Sequence, residues 1–254
     1  MRFVFLLASL LVFSTGAMAR SRLDEIVTRG SLRVGLTGDY RPFSERDKET
    51  GTYTGLDVEM ARNLADSMGV KLEVVPTTWA TLLPDLADGK YDVGMGGISL
   101  TLARQKVAFF SQPTMRAGKA AIARCADRDH FKSLQEIDRP GVKVIVNPGG
   151  TNEKFDRANL HQATLIAFPD NSRIFDELAA GQADIMITDA VETKLQQRLH
   201  PDLCAIHPDQ PFDFGELGYL LPRDIALKQF VDQWLHISVE TGLWTRLLQT
   251  YLGP

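Results

Sequence analysis

Residues 147–155, Asn-Pro-Gly-Gly-Thr-Asn-Glu-Lys-Phe, have the residue types of an anion-binding turn. The β-branched run Lys143–Val146 predicts a strand, the glycines predict a turn, and Thr151 is a natural N-cap for a following helix. A strand, a glycine turn and a helix N-terminus together present free backbone N–H groups at the positive end of a helix dipole, which suits a carboxylate. A tight connection that binds nothing would show the same pattern.

Residues 188–192, Thr-Asp-Ala-Val-Glu, form a second polar segment and place two carboxylates three residues apart. Glu192 falls in the first turn of a helix predicted to begin near Asp189. Acidic residues are common there because they complement the helix dipole. From these residues alone, a structural role for Glu192 is therefore favoured over a chemical one.

The elements that position these segments follow a strand–helix–strand order. The spacing predicts a strand over 31–36, a helix over 56–68 and a strand over 70–75. Residues 86–93 and 178–185 share the pattern L-A-x-G-x-x-D-[VI], which reads as a helix end, a glycine turn and a strand start. This repeat predicts two α/β lobes of similar build.

The loops after the two repeated segments would occupy equivalent places in the lobes. The first contains Gly97 and Ser99 and leads to Arg104, and the second is the 188–192 segment. Ligands of open α/β sheets bind beyond the carboxyl ends of the strands. Both loops and the 147–151 turn would therefore line one cleft between the lobes.

The predicted organisation is a cleaved leader followed by two lobes. Residues 1–19 combine Arg2, an apolar run and an A-x-A site, which predicts a secretory signal peptide rather than a membrane anchor. Lobe 1 is predicted to comprise residues 20–113 plus 212–254, and lobe 2 residues 114–211. Crossings near Pro113 and Pro211 would form a hinge that closes the lobes over a ligand.

The two cysteines of the chain, Cys125 and Cys204, would meet an oxidising compartment after export. A disulfide between them would close a loop of about 80 residues and stabilise the fold by roughly 4 kcal/mol in the chain-entropy model. Two isolated buried thiols are the less favoured alternative.

Composition limits the partners of this chain. Its formal net charge of -4 favours neither nucleic acid nor an anionic membrane surface. The five histidines are scattered without ligand spacing, so neither a metal nor another cofactor is predicted. A small-molecule partner is expected, and the sequence leaves open whether the chain forms a homo-oligomer.

A set of short motifs runs through the chain after residue 19. They are Gly30-Ser-Leu-Arg-Val-Gly35, Pro42-Phe43, Gly55-Leu-Asp-Val-Glu-Met-Ala61, Gly97-Ile-Ser99 with Arg104, and Phe110-Ser-Gln-Pro113. These motifs resemble the periplasmic amino-acid-binding proteins of the type II solute-binding fold. The resemblance implies an α/β fold of two lobes, each a mixed, mostly parallel sheet flanked by helices.

A second set of motifs resembles one branch of that superfamily. They are Thr37-Gly-Asp-Tyr40, Pro76-Thr-Thr-Trp79, residues 146–155, residues 188–192, Leu199-His-Pro-Asp-Leu-Cys204 and Gln210-Pro-Phe-Asp-Phe214. They resemble the periplasmic cyclohexadienyl dehydratases, enzymes descended from solute-binding proteins. That family converts prephenate to phenylpyruvate, and arogenate to L-phenylalanine, with loss of CO2 and water.

The resemblance assigns chemical roles to the polar segments. Glu192 would be the general acid that protonates the departing hydroxyl, with a pKa raised by an apolar, closed cleft. Arg104 would bind a substrate carboxylate bidentately, helped by Ser99 and the backbone N–H of Gly97.

The opposite lobe and the walls of the cleft would complete the site. Thr151 and Asn147 would hold the ligand, while Trp79 and Tyr40 would wall the ring and exclude water. Asp189 occupies the position that binds the α-amine in amino-acid-binding relatives. It could pair with the ammonium of arogenate or cap the helix that follows it, so the preference between the two substrates stays open.

The alternative function is a non-catalytic amino-acid-binding protein of an ABC transporter. It would share the fold, the compartment and the carboxylate site. Glu192 and the 147–150 turn favour the enzyme, whereas Asp189 and Arg104 are compatible with both functions. A hydrolase is disfavoured, since the sequence has no G-x-S-x-G motif.

Overall fold

A computed structural model describes residues 20–253, so the predicted signal peptide lies outside the described residues. The strands are β1 (Ser31–Leu36), β2 (Asp39–Tyr40), β3 (Ser44–Arg46), β4 (Tyr53–Thr54), β5 (Lys71–Pro76), β6 (Val93–Ser99), β7 (Phe109–Phe110), β8 (Met115–Ala117), β9 (Lys119–Arg124), β10 (Lys143–Val146), β11 (Thr164–Ala167), β12 (Ile185–Asp189), β13 (Leu203–Ile206) and β14 (Gly215–Leu221). The helices are α1 (Arg22–Arg29), α2 (Leu56–Ser67), α3 (Leu82–Ala87), α4 (Leu102–Gln105), α5 (Leu134–Ile137), α6 (Thr151–Asn159), α7 (Ile174–Ala179), α8 (Ala190–Leu199), α9 (Ile225–Glu240) and α10 (Leu243–Leu252), with a short 3-10 helix at Arg128–His130.

The first lobe is built on a mixed sheet with the strand order β5-β1-β6-β14-β7, and β8 also pairs with β14. β1 runs parallel to β5 and β6, whereas β14 is antiparallel to β6. Leu56, Met60 and Leu64 recur at helical spacing and are fully buried, which packs α2 against this sheet. A small sheet of β2, β3 and β4 packs on the same core through Tyr40 and Phe43.

The second lobe is built on a five-stranded sheet with the order β11-β10-β12-β9-β13. β10 is parallel to β11 and β12, while β9 is antiparallel to β12 and β13. Apolar clusters cover both faces of this sheet, as expected for strands buried on both sides. The predicted disulfide between Cys125 and Cys204 is formed and ties the end of β9 to β13. The two-lobed α/β fold is therefore the one that the sequence predicts.

The repeated segments fold alike in the two lobes. Each has a helix (α3 or α7), a glycine with left-handed backbone (Gly89, φ +66°, or Gly181, φ +77°) and a strand (β6 or β12). The loops predicted after these strands are wrong in part, because β6 continues to Ser99 and β12 to Asp189. The polar residues therefore lie on the last positions of strands, which hold them more rigidly than loops would.

The chain passes from the first sheet to the second at Gly118 and returns between β13 and β14. A Cβ atom at Gly118 would lie 2.5 Å from the carbonyl oxygen of Asp213, so the two crossings lie side by side. Pro211 lies within the second crossing, as predicted for a hinge residue. Pro113 does not mark the first crossing, because β8 still pairs with β14 of the first sheet. The boundaries of the lobes as rigid units stay a prediction.

Within residues 20–253, no helix combines the length and the apolar character needed to cross a membrane.

Candidate active site

A narrow cavity of about 30 Å³ lies between the lobes, at the carboxyl ends of β1, β6, β10 and β12. This space holds about one or two water molecules, so the cleft must widen before it can hold a small-molecule ligand. The lining residues are Tyr40, Trp79, Gly97, Ser99, Asn147, Gly150, Thr151, Asn152, Asn171, Asp189 and Glu192. All of the residues predicted to form the site contribute to this wall except Arg104.

A buried ion pair forms one side of the cavity. The Lys119 ammonium lies 2.7 Å from Asp189 Oδ1, and both side chains are less than a tenth exposed. The same ammonium donates to Thr151 Oγ1 at 3.2 Å and to Asn152 Oδ1. An ammonium has three donors, so Lys119 is fully satisfied by protein groups.

Glu192 lies one helical turn beyond Asp189 and is only 2% exposed. Thr188 Oγ1 donates a hydrogen bond of 2.5 Å to Glu192 Oε2, and in turn accepts one of 2.9 Å from Asn152 Nδ2. Burial raises the pKa of Glu192 to about 8, because desolvation disfavours the carboxylate more than the Thr188 hydroxyl stabilises it. Glu192 therefore carries a proton at neutral pH.

Two aromatic side chains wall the cavity from the first lobe. The Tyr40 hydroxyl donates to Asp189 Oδ2 at 2.7 Å, and the Tyr40 ring packs edge-on against Trp79 with centroids 5.8 Å apart. Trp79 Nε1 donates to Asp39 Oδ1 at 3.0 Å. Burial raises the pKa of Tyr40 well above its ordinary value, so its hydroxyl acts only as a neutral donor. The two aromatic rings form this wall of the cavity, while the Tyr40 hydroxyl and the Trp79 N–H are hydrogen-bonded to carboxylates.

Polar contacts between the lobes close the cleft around this cavity. They are Tyr40 with Asp189, Ser99 Oγ with Thr151 Oγ1 at 3.1 Å, Asn171 Nδ2 with the Asp39 carbonyl at 2.9 Å, and Lys48 with Asp170 at 2.8 Å. The first three lie at or beside the cavity, whereas the Lys48–Asp170 pair is exposed. A ligand can enter only when these contacts separate.

Arg104 lies behind the cavity wall rather than in it. Its side chain is 4% exposed, and its Nη1 donates to the Ser99 carbonyl at 2.7 Å. Among the described residues no carboxylate forms a salt bridge with this guanidinium. Burial lowers the pKa of Arg104, and the charge of Asp189 offsets this in part, so Arg104 places a positive charge next to Ser99 without an ion pair. Direct contact with a ligand stays a prediction.

The Gly97 N–H does not have the role predicted for it. It donates to Asp57 Oδ2 at 2.8 Å, as does the N–H of Gly96 at 2.9 Å, and the Tyr219 hydroxyl donates to the other oxygen of Asp57. Burial raises the pKa of Asp57 to about 6 despite these three hydrogen bonds. Gly97 lines the cavity, but its N–H is already bonded to the protein.

One predicted helix cap is wrong, and the capping bond offered as an alternative role for Asp189 is not formed. The N-cap of α6 is Gly150 rather than Thr151, and the Glu153 side chain accepts the free Gly149 N–H. Asp189 does precede α8, but its carboxylate makes no capping bond because Lys119 and Tyr40 bind it. Both side chains face the cavity instead.

Sequence reasoning missed Lys119, Asn152, Asn171 and the bonding role of Thr188. Asn152 lies next to Thr151 in the 147–155 motif, and Thr188 lies next to Asp189 in the 188–192 motif. Lys119 begins β9 and is followed by four apolar residues, and this position is the only signal that the sequence gives. Asn171 follows β11 in a turn, where asparagine is ordinary.

The donor set of the site does not resemble a metal centre. Among residues 20–253 there is no group of three or more His, Cys, Asp or Glu that could hold a metal ion. What the arrangement offers is a protonated acid, a buried cation behind Ser99, and hydroxyl and amide groups around a narrow interlobe cavity.

The fold and the interlobe site are those of a binding protein for small solutes. The chain belongs to family 3 of the bacterial extracellular solute-binding proteins, whose sequence model matches residues 32–254. Its relatives include the cyclohexadienyl dehydratase of Pseudomonas aeruginosa, which is 55% identical over 91% of this chain and 86% of the relative.

Two crystal structures of reconstructed ancestors are also similar. An ancestral amino acid-binding protein, a precursor of cyclohexadienyl dehydratase, is 36% identical, with a TM-score of 0.84 over 91% of this chain and 100% of its own. An ancestral cyclohexadienyl dehydratase is 50% identical, with a TM-score of 0.59 over 93% of this chain and 98% of its own. The structure with the higher sequence identity thus has the lower similarity of overall shape.

Proposed function

We propose that this chain is a periplasmic lyase that converts prephenate to phenylpyruvate and arogenate to L-phenylalanine. The observation that carries the proposal is Glu192, a buried and protonated carboxyl in a closed cavity with aromatic walls. The 55% identity to a cyclohexadienyl dehydratase supports the same reaction.

Glu192 acts as the general acid of this reaction. The electron pair of the bond between the ring and its carboxylate moves into the ring, which releases CO2. The double bonds shift, and the carbon–oxygen bond on the opposite side of the ring breaks. The proton of Glu192 joins the departing hydroxyl and forms water. The ring becomes aromatic, and Glu192 must regain a proton from solvent before the next turnover.

The walls of the cavity hold the substrate for this step. Arg104 supplies positive charge for a substrate carboxylate through the Ser99 end of the cavity, and Thr151 and Asn147 donate from the second lobe. Tyr40 and Trp79 cover the faces of the ring and exclude water. Exclusion of water keeps Glu192 protonated, because its raised pKa depends on desolvation.

Turnover of prephenate tests the proposal. Purified protein that lacks residues 1–19 is mixed with prephenate, and phenylpyruvate is followed by absorbance. Glu192→Gln should lower kcat by about 10²- to 10⁴-fold, as expected for loss of a general acid. Glu73→Gln changes an exposed glutamate on β5 and should leave kcat unchanged. Absence of prephenate turnover by the wild-type protein would refute the proposed enzymatic function.

An amino-acid-binding protein is the second candidate function. The TM-score of 0.84 to an ancestral amino acid-binding protein favours it. The pairing of Asp189 with Lys119 counts against it, because this carboxylate would have to exchange one ammonium for another to bind an α-amine. Calorimetry with single amino acids, together with the turnover assay, separates the two candidates.

Periplasmic location is part of the proposal. Three observations support it: the chain belongs to a family of extracellular proteins, residues 1–19 have the signal-peptide pattern, and Cys125 and Cys204 form a disulfide. Fractionation of cells that express the full chain, with sequencing of the mature N-terminus, tests it. Mature protein that starts at Arg20 in the periplasmic fraction is the expected result.

A further inference from the structure

Asn171 is a buried amide with an unsatisfied oxygen at the edge of the cavity. It lies in the turn between β11 and α7, is 7% exposed and lines the cavity wall. Its Nδ2 donates to the backbone carbonyl of Asp39 in the first lobe at 2.9 Å. Its Oδ1 is buried and has no hydrogen-bond partner.

The contact with Asp39 fixes which way the amide faces. A backbone carbonyl only accepts hydrogen bonds, so the NH2 group of Asn171 must face it and the oxygen must face away. Among the described cavity-lining residues, Asn171 has the only buried side-chain oxygen without a partner. A buried unpaired acceptor is costly, so the site is complete only when a ligand supplies a donor.

The chemistry of the proposed substrates limits what that donor can be. At neutral pH the two carboxylates and the keto group of prephenate are acceptors only, so its ring hydroxyl is its single donor. Arogenate carries the same ring hydroxyl and adds an ammonium. Glu192 must give its proton to the hydroxyl oxygen, and the hydrogen that the hydroxyl already carries needs a separate acceptor.

We propose that Asn171 Oδ1 accepts the hydrogen bond of the substrate's ring hydroxyl and then of the water that this hydroxyl becomes. The inference rests on the proposed function. Asn171 and Glu192 hold the hydroxyl from two sides, which directs its lone pair toward the acid. The product has no donor at this place, so its presence leaves Oδ1 unpaired and favours product release.

Binding measurements in a variant that cannot turn over test this role. Glu192→Gln is titrated by calorimetry with prephenate, with arogenate and with phenylpyruvate, and the titrations are repeated with Asn171→Leu added. The hydroxyl contact predicts that the added substitution weakens prephenate binding by about 10- to 100-fold. Binding of phenylpyruvate, which lacks the hydroxyl, should change less than about twofold.

Other outcomes overturn the assignment. Equal losses for both ligands would mean that Asn171 acts only through its contact with Asp39, and no loss would mean that Oδ1 meets no ligand. A loss confined to arogenate would make Oδ1 an acceptor for the ammonium. If the leucine variant does not fold, Asn171→Ser, which withdraws the oxygen by one bond, is tested in its place. Absence of prephenate turnover by the wild type would instead refute the proposed function itself.

Discussion

Asp189 and Glu192 are three residues apart and equally buried, yet their surroundings differ. Asp189 has an ammonium on one oxygen and a phenol on the other, from Lys119 and Tyr40. Glu192 has a single hydroxyl donor, Thr188, and no cation within salt-bridge distance among the described residues. Burial therefore raises the pKa of Glu192 to about 8, whereas the charge of Asp189 is compensated.

The difference shows that burial alone does not decide the protonation of a carboxyl. The charge of Asp189 is balanced by Lys119, which comes from a distant part of the chain, whereas Glu192 meets only the nearby hydroxyl of Thr188. One carboxylate thereby serves structure, as half of an ion pair, while its neighbour is left as an acid. The predictions below test this division, beginning with the largest expected effect.

Removal of the cation should cost the most. Lys119→Met leaves the buried Asp189 carboxylate without its cation and should lower the free energy of unfolding by about 3–5 kcal/mol. Urea denaturation measures the loss. Lys90→Met removes a lysine that is 56% exposed from its pair with Asp85 and should cost far less. If Asp189 needs its cation, Asp189→Asn added to Lys119→Met will restore part of the loss.

The stability of the wild type should depend on pH through Glu192. Its pKa is raised from 4.5 to about 8 in the folded state, so folding favours the protonated form. The resulting stabilisation is complete below pH 4.5 and is lost as the pH rises through about 8. Glu192→Gln lacks this dependence, and the stability difference between the two proteins should change by a few kcal/mol over that range. Parallel pH profiles of urea denaturation would contradict the raised pKa.

Loss of the phenol should have a smaller effect. Tyr40→Phe removes one of the two donors to Asp189 but leaves Lys119 in place, so we expect a loss of about 1.5–3 kcal/mol in the free energy of unfolding. Tyr53→Phe, at a tyrosine of the first lobe that is only partly buried, is the control. An equal change in both variants would mean that the bond between the lobes contributes nothing specific.

The smallest expected effect concerns the hydroxyl that faces Glu192. This hydroxyl stabilises the carboxylate form, so Thr188→Val should raise the pKa of Glu192 further. The decline of kcat at alkaline pH, expected near pH 8 in the wild type, should move upward by roughly one pH unit. A shift to lower pH would mean that the hydroxyl accepts a hydrogen bond from the protonated acid instead.

The elements of the fold could be predicted because they depend on local patterns. β1 and β10 occupy the residues that their composition indicates, and the repeated segments place β6 and β12 in equivalent positions. Convergence of the polar segments followed from the rule that ligands bind at the carboxyl ends of strands. Eight of the nine predicted non-cysteine site residues accordingly line one cavity.

The partners of these residues could not be predicted, because they come from far along the chain. Lys119 meets Asp189 from 70 residues away, and Asp57 takes the N–H of Gly97 from 40 residues away. No periodicity encodes such pairings, since they depend on how strands are ordered within the sheets. The wrong cap at Thr151 and the missing capping bond of Asp189 have the same cause, because tertiary partners bind both side chains.

The contacts that hold the lobes together bear on the difference between carrying a solute and transforming it. A carrier serves its purpose by retaining one molecule until it meets the next protein, so a long residence time is useful to it. The proposed reaction makes three molecules from one, and each of them must leave before the next substrate enters. The pairs Tyr40–Asp189 and Asn171–Asp39 lie across the exit. In an enzyme with this fold, the rate at which the lobes open therefore limits turnover as much as the acidity of Glu192 does.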